Sequence, residues 1–218
     1  MPLLDLTPDE LLKTTRSVRK RLDLVKPVPM SVIDECMDLA IQAPTSTYGE
    51  NWRFMIVTDP DKKKAIAEWY KKGHELFELR QNSAEEELKG AHSAKNRVLS
   101  SINYLAENLK DIPVLMIPCI LGRLDAEQVA YNVQYQATMY ASIIPAVWNF
   151  MLAARARGMG TCWTTLHLPF EREVGNIVGI PVEEVTQIAM IPVAFTLGTK
   201  FKAAARRPLN EVMRLNAW

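Results

Sequence analysis

Cysteine is scarce in this sequence. Three cysteines, Cys36, Cys119 and Cys162, occur among 218 residues. Their odd number and wide spacing argue against a disulfide framework, so we expect a protein of a reducing compartment, most simply the cytoplasm. The sequence places no histidine beside Cys162, which we expect to be a small buried hydrophobic residue and not a nucleophile. Residues 1–10 are acidic and contain two prolines, so we do not expect a secretory signal there.

Histidine and net charge are scarce as well. His74, His92 and His167 lie far apart and outside any ligand motif such as H-E-x-x-H, so no metal site is expected. The 26 lysines and arginines nearly balance the 25 acidic residues, which leaves a formal charge of +1. The chain therefore has no overall positive field for nucleic acid or an acidic membrane surface, and any anion site must be local.

The sequence also lacks an apolar run long enough to predict a membrane span. Its most apolar segment, Met139–Ala154, falls short of the roughly 18 to 20 apolar residues that cross a bilayer. Pro145 and Asn149 interrupt it further. We expect a central helix that is buried in a large core or at a subunit interface, and no membrane partner.

The overall composition is that of a globular protein, with 48% hydrophobic and 23% charged residues. No internal repeat or Gly/Ser linker divides the chain, so residues 1–218 are predicted to form a single domain. The polar stretch 78–97 is expected to be a helical excursion with a mobile connection, and we interpret it as a lid.

Helix and strand patterns alternate irregularly along the chain. Thr7, Pro8 and Glu10 are arranged as a capping box at the start of a first helix, and a second helix is expected from Ser31 until shortly before Pro44. Further helices are predicted over 61–79, 85–109, 129–157, 171–178 and 210–215, and strands over 52–58, 113–121, 161–166 and 188–197. Long helices between few apolar strands predict the α+β class, with a sheet buried between helices.

A basic stretch follows the first helix. Four cations fall within the six positions from Arg16 to Arg21, with Ser17 among them. Arg16 and Arg19 stand three apart, so on a helix end or tight turn both guanidinium groups can reach one anion, and the Ser17 hydroxyl can complete a phosphate shell. The alternative is a solvated basic edge. Lys20 and Arg21 are expected to lie on the surface in either case.

Three further segments carry candidate ligands. A polar loop, 44–51, connects a helix to the strand that begins at Trp52, which is expected to pack in the core. Gly158 and Gly160 are expected to end the long helix, and this G-x-G is not a dinucleotide fingerprint because it follows a helix and precedes a strand. Arg206 precedes a short predicted helix, where an anion would gain from free N–H groups, although a basic tail is the alternative.

In this order the pieces resemble the FMN-dependent nitroreductase family over nearly the whole chain. The resemblance rests on "TTRSVRKRLD", "AIQAPTSTYGENWRFMIVTDP", "DIPVLMIPCILGR", "ASIIPAVWNFMLAARARGMGTCWTTLHL" and "IPVAFTLGTKFKAAARRPLNEV". It implies an α+β, nitroreductase-like three-layer sandwich, in which helices flank a mixed central sheet. It also implies an intertwined homodimer with two FMN sites at the subunit interface.

The resemblance implies which residues bind FMN. Arg16 and Ser17 would be ligands of the cofactor, and Arg19 would reach toward its ring. The loop 44–51 would come from the partner subunit, while Thr164 and Thr165 would lie beside the central flavin nitrogen. The predicted set is Arg16, Ser17, Arg19, Pro44, Thr45, Ser46, Tyr48, Glu50, Thr164, Thr165 and Arg206, the last returning to the phosphate.

By the same resemblance, hydride passes from NADH or NADPH to the flavin and then to a nitroaromatic, quinone or similarly flat acceptor. No side chain is expected to act as a catalytic acid or base, because the cofactor carries the chemistry. The chain departs from the family pattern at Thr15, where many members have arginine, and at Tyr48 and Glu50, where amides are frequent. Two alternatives follow: a flavin carrier with little turnover, or an enzyme like the related reductive dehalogenases, in which an acid also occurs at the Glu50 position.

Overall fold

The computed structural model describes residues 3–46, 49–85 and 92–218. The helices are α1 Pro8–Thr14, α2 Met30–Ala40, α3 Pro60–Glu85, α4 His92–Asn108, α5 Glu127–Ala130, α6 Val133–Ala156, α7 Glu171–Val178 and α8 Leu209–Val212. The strands are β1 Trp52–Val57, β2 Val114–Leu121, β3 Met159–Thr161, β4 Val185–Gln187 and β5 Ile191–Phe195.

The capping box predicted at the first helix is present. The Thr7 hydroxyl accepts a hydrogen bond from the Glu10 N–H at 3.2 Å, and the Glu10 carboxylate accepts one from the Thr7 N–H at 2.8 Å. Two N–H groups that the first helical turn cannot pair internally are satisfied in this way. Helix α1 therefore has a defined start, and its last turn leads directly into the basic stretch.

The five strands form one sheet in the order β1-β2-β5-β3, and β4 pairs with the far end of β2. Every pairing between these strands is antiparallel. Parallel pairing, which a mixed sheet requires, occurs among the described residues only at two isolated bridges, Ser17–Thr161 and Gly122–Val185. The sheet is therefore mixed only in a limited sense: its strands pair antiparallel, and the parallel pairs involve segments that lie beside the strands.

Helices cover both faces of this sheet, which confirms the α+β, three-layer arrangement. Along β2 the alternate side chains Val114, Met116 and Ile120 pack in one apolar cluster with α2 and α6. Leu115 and Ile117 point the other way, into a second cluster with α3, α4 and α7. A strand buried on both faces needs apolar residues at every position, which explains the continuous run "VLMIPCI".

Helix α6 differs from its prediction in one respect. It runs for 24 residues and, by length and composition alone, is apolar enough to cross a membrane, contrary to the judgement from the sequence. Half of its most apolar stretch is buried inside the chain, where it packs against α2 and β3. Burial in the core accounts for that half, and Pro145 lies within the helix without ending it.

The predicted strand over 161–166 is wrong in its position. Strand β3 ends at Thr161, and the chain beyond it meets β5 only through a bridge from Thr164 to Met190 just before that strand. The register of β3 against β5 runs from Met159 opposite Phe195 to Thr161 opposite Val193, so the paired residues lie before most of the predicted segment. Strand β4 was not predicted, since its three residues are too few for a period of two to be recognisable.

The predicted lid over 78–97 is described only at its ends. Helix α3 extends to Glu85, six residues beyond its predicted end, and α4 begins at His92. Residues 86–91 lie outside the described part of the chain. Farther from this gap, His74 Nε2 and Asn103 Oδ1 lie 3.0 Å apart and join the two helices.

Candidate functional site

The basic stretch lies along the edge of the sheet. Val18 donates its N–H to Thr161 of β3 at 2.8 Å, and Asp23 donates to Phe195 of β5 at 2.8 Å. Val18 and Leu22 are buried between these contacts. The chain turns between them, since the Leu22 N–H donates to the carbonyl of Arg19 at 3.2 Å, and the side chains of Arg19, Lys20 and Arg21 stay at least partly exposed.

Gly160 makes this close approach feasible. A Cβ atom at Gly160 would lie 2.7 Å from Thr196 Cγ2 and 2.8 Å from the Val18 Cβ. Contacts this short do not occur between real side chains, so a larger residue would push the basic stretch off β3. Gly158 has a φ of 76° directly after α6, a left-handed conformation that suits glycine. The G-x-G thus ends α6 as predicted and also positions the basic stretch.

A cavity of about 440 Å³ lies against the basic stretch. Two other parts of the chain complete its walls, one in α4 and one after β5. Its lining residues are Arg16, Ser17, Val18, Arg19, Lys20, Arg21, Ser101, Phe201, Lys202 and Ala203. Five cations and two serine hydroxyls thus surround one cavity, an arrangement of groups that can donate to an anion.

The cations of this cavity are engaged to different degrees. Arg19 Nη1 donates to the Ser101 hydroxyl at 3.3 Å, and Lys20 Nζ donates to the Ser100 hydroxyl at 2.7 Å. Among the described residues, Arg16 has one long contact, 3.4 Å from Nη1 to the carbonyl of Lys202. Of these three, the Arg16 guanidinium therefore retains the most capacity to bind a ligand.

Arg21 is partly exposed, but its guanidinium group is fully engaged. Its guanidinium donates to the carbonyls of Leu197, Lys200 and Gly198 at 3.0, 3.0 and 2.6 Å, and it lies 4.1 Å from the ring centroid of Phe201. This arrangement uses the whole guanidinium fork on one loop. Arg21 thereby holds the segment after β5 against the cavity, where that segment contributes Lys202.

Thr164 and Thr165 have different surroundings. Thr164 is buried, its hydroxyl lies 2.7 Å from the phenol oxygen of Tyr70, and its backbone pairs twice with Met190. Burial raises the pKa of Tyr70, while the Thr164 hydrogen bond and the positive charge of Arg19 lower it, so the pair lies within the electrostatic reach of the basic stretch. Thr165 is exposed.

The predicted loop ligands do not line this cavity. Pro44, Thr45, Ser46 and Glu50 are absent from its walls, and the Ser46 N–H donates to Ser142 of α6 at 3.1 Å instead. Glu50 has a φ of 38°, in the left-handed region. Tyr48 lies outside the described residues. The assignment of this loop to a flavin site therefore stays a prediction that requires a second subunit.

Arg206 does not line the cavity either; it is exposed, and Lys202 occupies the wall from the same segment. Its return to the phosphate stays a prediction. Lys202 and Ser101 are the residues that the sequence analysis missed. No local sequence pattern marks either residue as a ligand. Lys202 lies in a charged segment near the end of the chain, and Ser101 lies on a polar helix.

The cysteines behave as expected of hydrophobic residues. All three are buried, and Cys162 has no measurable exposure. Burial raises the pKa of Cys36 to about 11 and that of Cys119 to about 12, and it also raises the pKa of Cys162. A thiol that stays protonated is a poor nucleophile, so the prediction for Cys162 is confirmed. Within the described ranges, no three His, Cys, Asp or Glu side chains are grouped to hold a metal ion.

Comparison with known proteins decides the family. The model described as "Nitroreductase family" matches residues 12–197, which include the basic stretch, the loop and both threonines. The chain belongs to the nitroreductase family. The predicted family and the predicted fold are both confirmed by this match and by the solved structures below.

Among curated proteins, this nitroreductase-family chain is similar to iodotyrosine deiodinase 1 of Rattus norvegicus, with 27% identity over 94% of the chain and 67% of the relative. It is also similar to a putative NADH dehydrogenase/NAD(P)H nitroreductase of Methanothermobacter thermautotrophicus, with 25% identity over 85% of the chain and 75% of that protein. The chain thus spans about two thirds to three quarters of the length of these relatives.

Among solved structures, the fold is similar to that of oxidized iodotyrosine deiodinase bound to FMN and 3-iodo-L-tyrosine. The TM-score is 0.70 at 21% identity, and the match covers 96% of this chain and 99% of the other. An identity this low establishes the shared fold and does not transfer the substrate.

Proposed function

We propose that this chain is an FMN-containing oxidoreductase that passes electrons from NADH or NADPH to a small, flat aromatic acceptor. The observation that carries the proposal is the cavity in which Arg16, Ser17, Arg19 and Lys202 converge from two distant parts of the chain. Membership of the nitroreductase family, together with FMN in the solved structure of a protein with the same fold, supports flavin as the anion.

The residues present fit the phosphate of FMN. The Arg16 guanidinium, the Lys202 ammonium group and the Ser17 hydroxyl offer charge-assisted and neutral donors to phosphate oxygens. In this arrangement Arg16 and Lys202 bind the phosphate, while Arg19, close to the Tyr70–Thr164 pair, faces the ring. FMN, when bound, supplies hydride transfer in both directions. The protein's part is to position it, exclude water and place positive charge where reduction adds electrons.

Two classes of acceptor are compatible with this site. Reduction of a nitro group to a nitroso group consumes NAD(P)H and a proton and releases water. Reductive dehalogenation consumes NAD(P)H as the source of two electrons and a hydrogen, replaces a ring halogen by that hydrogen, and releases halide and NAD(P)+. The second class is favoured by the deiodinase relative, which matches 94% of the chain, and by the acid at Glu50. Nitro reduction is favoured by the name of the methanogen relative.

The proposal includes a homodimer. Within one chain the loop residues Pro44 to Ser46 and Glu50 lie outside the cavity, so a complete site requires them from a second copy. Helix α6 leaves Ile144 and Trp148 exposed, at 43% and 41%. The last ten residues add further exposed apolar side chains: Leu209, Val212, Met213, Leu215 and Trp218. Apolar surface of this extent is typical of a subunit interface.

The decisive experiment is spectroscopic and needs only the purified protein. We expect a flavin absorption band, either as isolated or after addition of FMN, and rapid loss of that band on anaerobic mixing with NADH or NADPH. A nitroaromatic acceptor and a halogenated phenol should then be compared for re-oxidation, with halide release measured in the second case. Bound flavin that neither nucleotide bleaches would support the carrier instead, and a protein that binds no FMN would refute the proposal.

A further inference from the structure

We propose that Tyr70 is a positioning residue, which holds the Thr164 hydroxyl so that its proton is available to the flavin. This inference rests on the proposed function and deepens it. Tyr70 belongs to α3, far from every segment that the family resemblance assigns to the cofactor. Its role follows from a contact that only the folded chain creates.

The contact between the two side chains is short and is buried from solvent. The phenol oxygen of Tyr70 lies 2.7 Å from Thr164 Oγ1, and Tyr70 has no measurable solvent exposure. Thr164 is 9% exposed, so it retains a small accessible surface. A hydrogen bond between buried hydroxyls is costly to leave unmade, because water cannot replace the lost partner.

The Thr164 backbone is held independently of its side chain. Its N–H donates to the carbonyl of Met190 at 3.1 Å, and its carbonyl accepts the N–H of Met190 at 2.8 Å. The backbone bridge fixes the Cα, and the Tyr70 contact then selects one orientation of the hydroxyl. The two backbone hydrogen bonds and the Tyr70 contact together restrict the side-chain conformation of Thr164.

The direction of the shared proton follows from the chemistry of the two groups. Either hydroxyl can donate at this distance, and a phenol is the more acidic and hence the stronger donor of the two. Tyr70 therefore donates and Thr164 Oγ1 accepts. The Thr164 O–H remains free to donate to a further acceptor. An aromatic ring nitrogen, such as the central nitrogen of oxidised flavin, is an acceptor of the required class.

Arg19 connects this pair to the cationic cavity. The Val18 N–H donates to the carbonyl of Thr161, three residues before Thr164, at 2.8 Å, and both Val18 and Arg19 line the cavity. The positive charge of Arg19 also lowers the pKa of Tyr70 against the larger effect of burial. The hydroxyl pair and the anion site are thus neighbours. A cofactor with a phosphate at one end and a ring nitrogen at the other matches that combination.

The test compares Tyr70→Phe, Thr164→Val and the double variant with the unchanged holoprotein, measuring the dissociation constant of FMN and its midpoint potential. A donor at the central nitrogen stabilises oxidised flavin more than reduced flavin, whose nitrogen carries a proton. Loss of the donor should therefore raise the midpoint potential in Tyr70→Phe. The equilibrium constant for reduction should increase at least tenfold, which corresponds to about 30 mV for two electrons. The affinity for oxidised FMN should fall by about the same tenfold factor, while the affinity for reduced FMN should change less than about threefold.

Non-additivity is the critical readout. If Tyr70 acts through Thr164, the double variant should have the same potential as Thr164→Val alone. The matched control is Tyr104→Phe, which removes the same hydroxyl from α4 and should leave the potential unchanged. A normal potential in Tyr70→Phe, or shifts that add independently, would overturn the role of Tyr70 while leaving the flavoenzyme intact. Failure of the unchanged protein to bind FMN would overturn both.

Discussion

At the scale of single residues, four neighbouring cations have distinct tasks. Arg21 is occupied by three carbonyls, and Arg19 and Lys20 are each held by a serine of α4. Arg16, with one contact of 3.4 Å, is the most available for a ligand. Cations that look equivalent in the sequence therefore differ in what they can bind, and substitutions should separate them.

Arg16→Ala should weaken the binding of FMN. A charge-assisted hydrogen bond to a phosphate contributes about 1.5 to 3 kcal/mol, so the dissociation constant should rise roughly 10- to 150-fold. Titration of apoprotein with FMN measures this. Arg172→Ala is the control, since it removes an exposed arginine that is paired with Glu183. Equal FMN affinity in the Arg16 variant and the unchanged protein would argue against the cavity as the phosphate site.

Glu50→Gln should raise the midpoint potential of bound FMN. The proposed dimer places this acid near the ring of the partner's flavin, where a negative charge disfavours reduction. Removing the charge while keeping the shape should gain roughly 1 kcal/mol for the reduced form, or about 20 mV for two electrons. Glu127→Gln, at an exposed position of α5, is the control. A redox titration without any difference between Glu50→Gln and the control would reject the proposed location of Glu50.

His167 should make stability depend on acidity. It is fully buried, and burial lowers its pKa from 6.5 to about 3. As the pH falls below 6.5, the unfolded chain takes up a proton that the folded chain refuses, so the free energy of unfolding declines until about pH 3. The slope from this residue is at most about 1.4 kcal/mol per pH unit. Urea unfolding between pH 7 and pH 4 should show a smaller slope for His167→Gln, and an unchanged slope would contradict this account.

At the scale of elements, the site depends on how closely α3 packs against the segment after β3. A Cβ atom at Gly73 would lie 1.6 Å from the carbonyl oxygen of Leu166, so only glycine permits this approach. Tyr70 precedes Gly73 by almost one helical turn, and Thr164 precedes Leu166 by two residues. The same close packing therefore brings the two hydroxyls into contact.

Gly73→Ala should destabilise the fold even though alanine favours helices. The propensity gain of about 1 kcal/mol is outweighed by the clash with a backbone atom, because overpacking costs about 1 to 3 kcal/mol or more. Chemical denaturation should therefore show a net loss of stability. Glu75→Ala, at an exposed position of the same helix, should change stability by less than about 0.5 kcal/mol. A stabilised Gly73→Ala variant would show that α3 is not held against Leu166.

At the scale of the whole molecule, the proposed site spans two chains. In the proposed dimer, one subunit would supply the cationic cavity and the other the loop before β1. Helix α6 and the last ten residues carry exposed apolar side chains, which we expect a second copy to cover. Flavin binding and dimerisation should therefore be linked, since a ligand held by both subunits stabilises their association.

Removal of residues 209–218 should weaken the dimer and lower the affinity for FMN together. Sedimentation velocity over a range of protein concentrations measures the first effect, and flavin titration at the same concentrations measures the second. A matched chain in which Arg214 alone is changed to alanine keeps the apolar tail and should remain dimeric. A truncated chain that binds FMN as a monomer would exclude a shared site.

Much of this architecture follows from local sequence patterns. The capping box at Thr7, the continuous apolar run of β2 and the long helix α6 are visible without coordinates, because helix caps and burial on one or both faces impose short periodicities. The short strand β4 and the bend after Thr161 are not visible. They depend on the register in which distant segments meet in the assembled sheet.

The sequence alone determined the α+β class, the family and the concentration of cations after α1. Only the tertiary structure decided which of those cations are available, because Arg21 is bound by carbonyls 176 to 179 positions further along the chain. The same holds for Lys202 in the cavity wall and for the contact of Tyr70 with Thr164, 94 positions apart. Local patterns specify elements, whereas contacts between distant residues arise when the elements pack, and the chemistry of this site is made of such contacts.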